Sequence, residues 1–85
     1  MTKNPASKYI EIRDMGLSES GKTRVWYVIN KRHEDDIPGI IKWNGAWRKY
    51  VYHTTDAYYD WDCLRMIADF MHEKTKEHYG AVHIT

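Results

Sequence analysis

Eighty-five residues allow one domain with a small core, since a chain this short buries only about 60–65% of the surface it exposes when unfolded. Hydrophobic residues at 42%, charged residues at 29% and a formal net charge of +1 exclude the composition of a disordered chain, and no apolar run reaches the roughly 18 residues of a membrane span. The start carries no signal-peptide pattern, and the single cysteine, Cys63, excludes an intrachain disulfide and a Cys-pair metal site, so the reading is a cytoplasmic chain without a cofactor.

Residues 1–7 are polar, contain Pro5 and read as a flexible leader, which leaves residues 8–85 as a single α+β domain. Tyr9-Ile10-Glu11-Ile12-Arg13 alternates with the period of a half-buried strand. Ser18-Glu19-Ser20-Gly21-Lys22 is turn material, and Thr23-Arg24-Val25-Trp26-Tyr27-Val28-Ile29 is dense in β-branched and aromatic residues. These two strands make a first hairpin. Ile40-Ile41-Lys42-Trp43 reads as a short third strand, Asn44-Gly45 as a turn tolerant of positive φ, and Trp47-Arg48-Lys49-Tyr50-Val51-Tyr52-His53 as the returning fourth. The register of this second hairpin stays open: a loop of Asn44-Gly45-Ala46 sets Trp43 opposite Trp47, and a two-residue turn does not.

A helix comes next. Asp60 suits its N-cap, Asp62 lies in the first turn, and Gly80 is placed to stop it. Cys63, Leu64, Ile67, Phe70 and Met71 recur every three or four residues as one apolar stripe, which only the sheet can cover. The expected fold is therefore an antiparallel sheet of three to four strands, in two hairpins, with one C-terminal helix packed on one face. Ile41, Trp43, Tyr50 and the helix stripe are assigned to its core.

Four features suggest chemistry and fail on context. Gly16-Leu17-Ser18-Glu19-Ser20-Gly21-Lys22-Thr23 fits the phosphate-binding pattern G-x-x-x-x-G-K-[ST], yet the helix that must come after it is replaced by a strand-forming run. His33, His53, His72, His78 and His83 lack metal-ligand spacing, so no metal site is assigned. The acids Asp35, Asp36, Asp56, Asp60 and Asp62 sit where turns and capping account for them, and Cys63 falls on the apolar stripe as an inert thiol. No catalytic residue is assigned, and the chain reads as a binding module rather than an enzyme.

Charge segregation carries more information. Residues 22–53 hold seven basic side chains against three acidic ones, whereas residues 54–73 hold five acids against Arg65 alone. Within the basic part, Arg24, Trp26, Lys42, Trp47, Arg48 and Lys49 interleave cations with flat rings. On a nucleic-acid platform the cations meet phosphates and the rings stack on bases, so these six are the candidate site for DNA or RNA. The alternative is that the same face, or the acidic front of the helix, docks on a host protein, because Trp, Tyr and Arg are equally the residues of protein hot spots. A monomer or a small homo-oligomer suits either use.

The stretch Pro38-Gly39-Ile40-Ile41-Lys42-Trp43-Asn44-Gly45-Ala46-Trp47-Arg48-Lys49-Tyr50, followed by Asp62-Cys63-Leu64-Arg65-Met66-Ile67-Ala68-Asp69-Phe70, resembles a group of small proteins encoded by phages and prophages. Their pattern is a strand G-x-I-K-W, a short turn, W-R-x-Y, and a helix C-L-x-x-I-A-x-F; the upstream Ser20-Gly21-Lys22-Thr23-x-Val25-Trp26 is similar too. Tyr52-His53-Thr54 departs from the aromatic-then-proline ending of that group. The resemblance spans most of residues 20–75 and implies a phage-type accessory protein acting in a bacterial cytoplasm. It brings no catalytic residue with it. In architecture alone, the sheet-and-helix plan also resembles phage integrase arm-binding domains, which read DNA from their sheet.

Overall fold

Four strands form in chain order and pair as neighbours: β1 (Ile10–Leu17), β2 (Arg24–Asn30), β3 (Gly39–Asn44) and β4 (Lys49–His53), followed by α1 (Trp61–His83). The computed structural model describes residues 6, 9–55 and 59–83. Every pairing is antiparallel, so the α+β plan of a meandering sheet with one C-terminal helix is the fold. The leader expected over residues 1–7 lies outside the described residues except for Ala6, which bridges Glu11 on β1.

Registers decide which side chains share a face. Ile10 and Ile12 stand opposite Asn30 and Val28, Val28 opposite Gly39, Trp26 opposite Ile41, Ile41 opposite Tyr52, and Trp43 opposite Tyr50. Opposed residues of an antiparallel pair point the same way, so all of these look toward the helix. Ile10, Ile12, Trp26, Val28, Ile41 and Tyr50 join Cys63 and Ile67 of α1 in one buried cluster, with Trp43, Tyr52, Met66, Phe70 and Met71 packed around it. Burying an aliphatic side chain of this kind contributes about 1.5–3 kcal/mol. Of the residues assigned to the core, Ile41 and Tyr50 are buried, and Trp43 is half-buried against them.

The helix begins where expected. The Cys63 N–H donates to Asp60 Oδ1 at 2.9 Å, and the Leu64 N–H donates to the Asp60 carbonyl at 3.0 Å. Its stripe needs one correction: Leu64 is half exposed, because the sheet meets the line of Cys63, Ile67 and Phe70 and leaves Leu64 one step around the helix. Gly80 does not stop the helix either, which continues to His83. The turns before Gly80 are tied to the sheet: the Thr75 hydroxyl accepts the Tyr50 N–H at 3.1 Å while donating to the Met71 carbonyl one turn back at 2.8 Å, and the Tyr79 hydroxyl donates to the Arg48 carbonyl at 2.6 Å. His78 lies over Trp43 with ring centroids 4.2 Å apart.

The β3–β4 connection takes neither of the two forms that the sequence suggests. Asn44 pairs with Lys49, so four residues, 45–48, make the turn and Trp47 belongs to it rather than to β4. Asn44 organises it from both ends of the residue: its side-chain oxygen accepts the Trp47 N–H at 3.0 Å and its carbonyl accepts the Arg48 N–H at 2.8 Å. The left-handed residue is Arg48, at φ 57°, and not Gly45.

Two other local features shape the sheet. A bulge between Asp14 and Leu17 uses Gly16 at φ 97°, whose N–H donates to Asp14 Oδ1 at 2.7 Å. Strands β2 and β3 pair only from Trp26–Ile41 to Val28–Gly39, and beyond that the Arg24 N–H donates instead to the Tyr50 hydroxyl at 3.2 Å. At the other end of the ladder, the Tyr52 ring lies across Gly39, where a Cβ would stand 2.6 Å from Cζ and nearer still to the hydroxyl and Cε1. Gly39 is needed here for close approach rather than for its backbone angles.

Candidate nucleic-acid interface

The sheet face turned away from the helix is built from the other parity. Arg13 stands opposite Tyr27, Tyr27 opposite Ile40, and Ile40 opposite His53, making one row across all four strands. Glu11 and Ile29 form a row on one side of it; Lys42 and Val51, then Asn44 and Lys49, lie on the other. Val25, Tyr27, Ile29, Ile40 and Val51 are half-buried among themselves, and Arg13, Lys42, Lys49 and His53 are exposed around them. The Lys31 N–H donates to the Tyr9 carbonyl at 2.9 Å, which carries the ladder one pair further and sets Lys31 beside this face.

Acids and bases meet at one end of this face. Arg13 neutralises Glu11 through Nε–Oε2 at 3.0 Å and Nη2–Oε1 at 3.3 Å, and Glu34 is near enough to act on Arg13 by charge. The Arg13 hydrogen bond, with the nearby charges of Arg13 and Lys31, outweighs the opposing effect of burial and holds the Glu11 carboxyl below its ordinary value. Glu11 in turn raises the Arg13 guanidinium, first through the hydrogen bond and then through charge. Among the described residues, Lys31, Lys42 and Lys49 have no ion pair within 4.0 Å, so their charges are free for an anion.

The six residues proposed from sequence divide into three groups. Lys42 and Lys49 lie on this open face, nearest Val51. Trp47, 66% exposed, and Arg48 sit in the adjoining turn. Trp26 and Arg24 belong to the opposite side and are corrections. Trp26 is 5% exposed and fixed edge-on between Tyr50 and Phe70, with centroids 5.1 and 5.0 Å away, so no base reaches its face. Arg24 shares that side, its Nε 3.0 Å from Asp14 Oδ2. Asp14 is pushed up by burial, yet the Gly16 N–H, the Arg24 guanidinium and the charge of Lys74 prevail and keep it low.

The ring that occupies the open face is Tyr27, which sequence reasoning misses along with Arg13 and Lys31. The available signal is parity: once Val28 is core, Trp26 goes inward with it and Tyr27 turns outward. Arg-Val-Trp-Tyr-Val-Ile-Asn is apolar on both parities, which hides that choice.

The other motifs resolve simply. The segment fitting the phosphate-loop pattern joins two antiparallel strands, and Thr23 leads directly into β2. Among the described residues, no three His, Cys, Asp or Glu side chains converge to hold a metal, and no helix is long and apolar enough to cross a membrane. Cys63 is buried in the first turn of α1. No known protein family matches the chain, and no curated protein or solved structure matches it either.

Proposed function

We propose that this chain is a non-enzymatic binding module, of the phage accessory type its residues 20–75 resemble, that holds nucleic acid on the open face of its sheet. One observation carries the reading: an outward ring, Tyr27, stands on the face that Lys42 and Lys49 share and Lys31 borders, none of the three in an ion pair within 4.0 Å among the described residues, with Trp47 and Arg48 in the adjoining turn. Free cations meet phosphates and an outward ring meets a base, and a face that served only as solvated surface needs neither in this arrangement. The test is fluorescence polarisation with labelled DNA and RNA at 50 and 200 mM salt. Three phosphate contacts lower the affinity by about 20- to 40-fold over that range. The double variant Lys42→Glu/Lys49→Glu, at two exposed positions, abolishes binding while leaving the thermal transition in place. Binding that survives both the salt and the double variant refutes the reading.

A second reading has its own observation. Trp61 and Leu64, one helical turn apart, are 68% and 50% exposed at the front of α1, beside Asp62. That apolar pair within an acidic helix front suits a host protein with a basic rim. A pull-down from bacterial lysate that is lost in Trp61→Ala and kept in Lys42→Glu/Lys49→Glu selects this reading over the first.

A further inference from the structure

Resting on the nucleic-acid reading, we infer that the open face takes single strands and excludes duplex, with one unpaired base stacked on Tyr27. Shape argues for this first. Four strands at about 4.8 Å spacing span roughly 14 Å between outer backbones before any side chain is added, whereas the major groove of duplex DNA is about 12 Å wide and admits a two-stranded ribbon. The whole face therefore does not enter a groove.

The placement of groups argues for it second. Tyr27 stands in the middle of the sheet, in the row Arg13–Tyr27–Ile40–His53, and not at a rim from which it could wedge into a stack of paired bases. Around it, Val25, Ile29 and Ile40 are half-buried aliphatics that offer apolar contact and no side-chain hydrogen-bond donor or acceptor, and Arg13, its partner across β1, spends its guanidinium on Glu11. A face built this way accepts the flat side of any base and reads no edge, so it is tolerant of sequence. The cations sit outside this centre, Lys31 toward one end of the strands and Lys42 and Lys49 toward the other. A strand laid along β2 thus has its backbone held at both ends while a base reaches the ring between them. Val25 to Ile29 covers about 13 Å, which limits the footprint to on the order of four nucleotides.

The experiment compares a labelled ten-nucleotide oligothymidine and oligouridine with a duplex of mixed sequence, at 50 mM salt, for the wild type and for Tyr27→Ala, Tyr27→Leu and Tyr27→Phe. The single strands bind at least tenfold more tightly than the duplex. Tyr27→Ala and Tyr27→Leu each weaken single-strand binding by about 5- to 100-fold, and Tyr27→Phe, which keeps the ring, binds as the wild type does. Tyr27→Leu keeps the half-buried position filled, so it reports on the ring even if Tyr27→Ala fails to fold. Duplex bound as tightly as single strand, or Tyr27→Leu indistinguishable from wild type, overturns the inference and leaves the broader reading standing. Absence of binding to any of the probes overturns both.

Discussion

Gly39 and Tyr52 give the fold a test that depends on a few atoms. In Gly39→Ala the new methyl stands 2.6 Å from Cζ of Tyr52 and closer to its hydroxyl and Cε1, where real Cβ atoms keep beyond 3.0 Å. The ring cannot swing aside freely, because it packs against the core. Its hydroxyl is buried without a well-formed hydrogen bond, and burial, with Tyr59 beside it, raises its pKa above that of an ordinary tyrosine. Overpacking of this kind costs about 1–3 kcal/mol, and the stiffer unfolded chain of an alanine returns about 0.4–1 kcal/mol. The net loss of about 1–2 kcal/mol lowers Tm by roughly 5–15 °C in a domain of this size. Tyr52→Leu removes the hydroxyl, Cζ and Cε1 and keeps an apolar side chain against the core. In that background Gly39→Ala is therefore neutral or stabilising by about 0.5 kcal/mol. Urea denaturation of the four proteins gives the coupling directly, with about 1–3 kcal/mol expected. A single Gly39→Ala variant as stable as the wild type refutes the reasoning, as does a coupling of zero.

Elsewhere the structure makes equally specific demands. Ile67 is 2% exposed in the middle of the buried cluster, so Ile67→Ala costs about 2–5 kcal/mol in urea denaturation, a large part of what an 85-residue domain has. Arg48→Gly relieves a left-handed residue and raises stability by about 0.5–1 kcal/mol, read as a higher Tm; a lower Tm would mean that the Arg48 side chain contributes more than its backbone strain costs. Thr75→Val leaves the Tyr50 N–H without its acceptor and destabilises by about 1–3 kcal/mol, whereas Thr75→Ser keeps the acceptor and most of the stability. Acid works through Glu11, Asp14 and Asp60, each held below its ordinary value, Asp60 first by the Cys63 N–H it caps. Their folded forms bind protons less readily than the unfolded chain, so their stabilisation is complete above the ordinary carboxyl range and is lost as pH falls through about 4 and below. Tm measured from pH 6 to pH 3 falls accordingly, and a flat profile contradicts these assignments.

How much of this is legible in the sequence depends on how many physical constraints each segment satisfies at once. Ile10-Glu11-Ile12-Arg13 alternates cleanly and reveals its faces correctly, and Asp60 declares the helix start because the residues after it carry a helical stripe. β2 is visible as a strand and illegible in orientation, since Val25, Tyr27 and Ile29 are as apolar as Trp26 and Val28; the helix, not the strand, selects the buried set. The second turn misleads for a different reason. Asn44-Gly45 suits a tight hairpin locally, but the Asn44 side chain caps a wider loop whose far end Tyr79 holds from the helix. α1 also runs past Gly80, because a glycine inside a helix costs only about 1 kcal/mol and does not by itself end it. The candidate site inherits the ambiguity of β2: Lys42 and Lys49 fall on the open face, and Trp26 takes the position that belongs to Tyr27.

The acceptor that Thr75 presents to Tyr50 also bears on how the border of the sheet is closed. β4 ends the sheet, and a terminal strand with free N–H groups is a template for any passing extended chain. α1 occupies that border with a side chain that is itself committed to the Met71 carbonyl, so the position is neither vacant nor easily vacated. At the opposite border Ala6 bridges Glu11 at the start of β1. A chain shortened to end at Lys74 would lose the first of these guards and keep its strands, and amyloid-like growth from β4 is the failure expected of it.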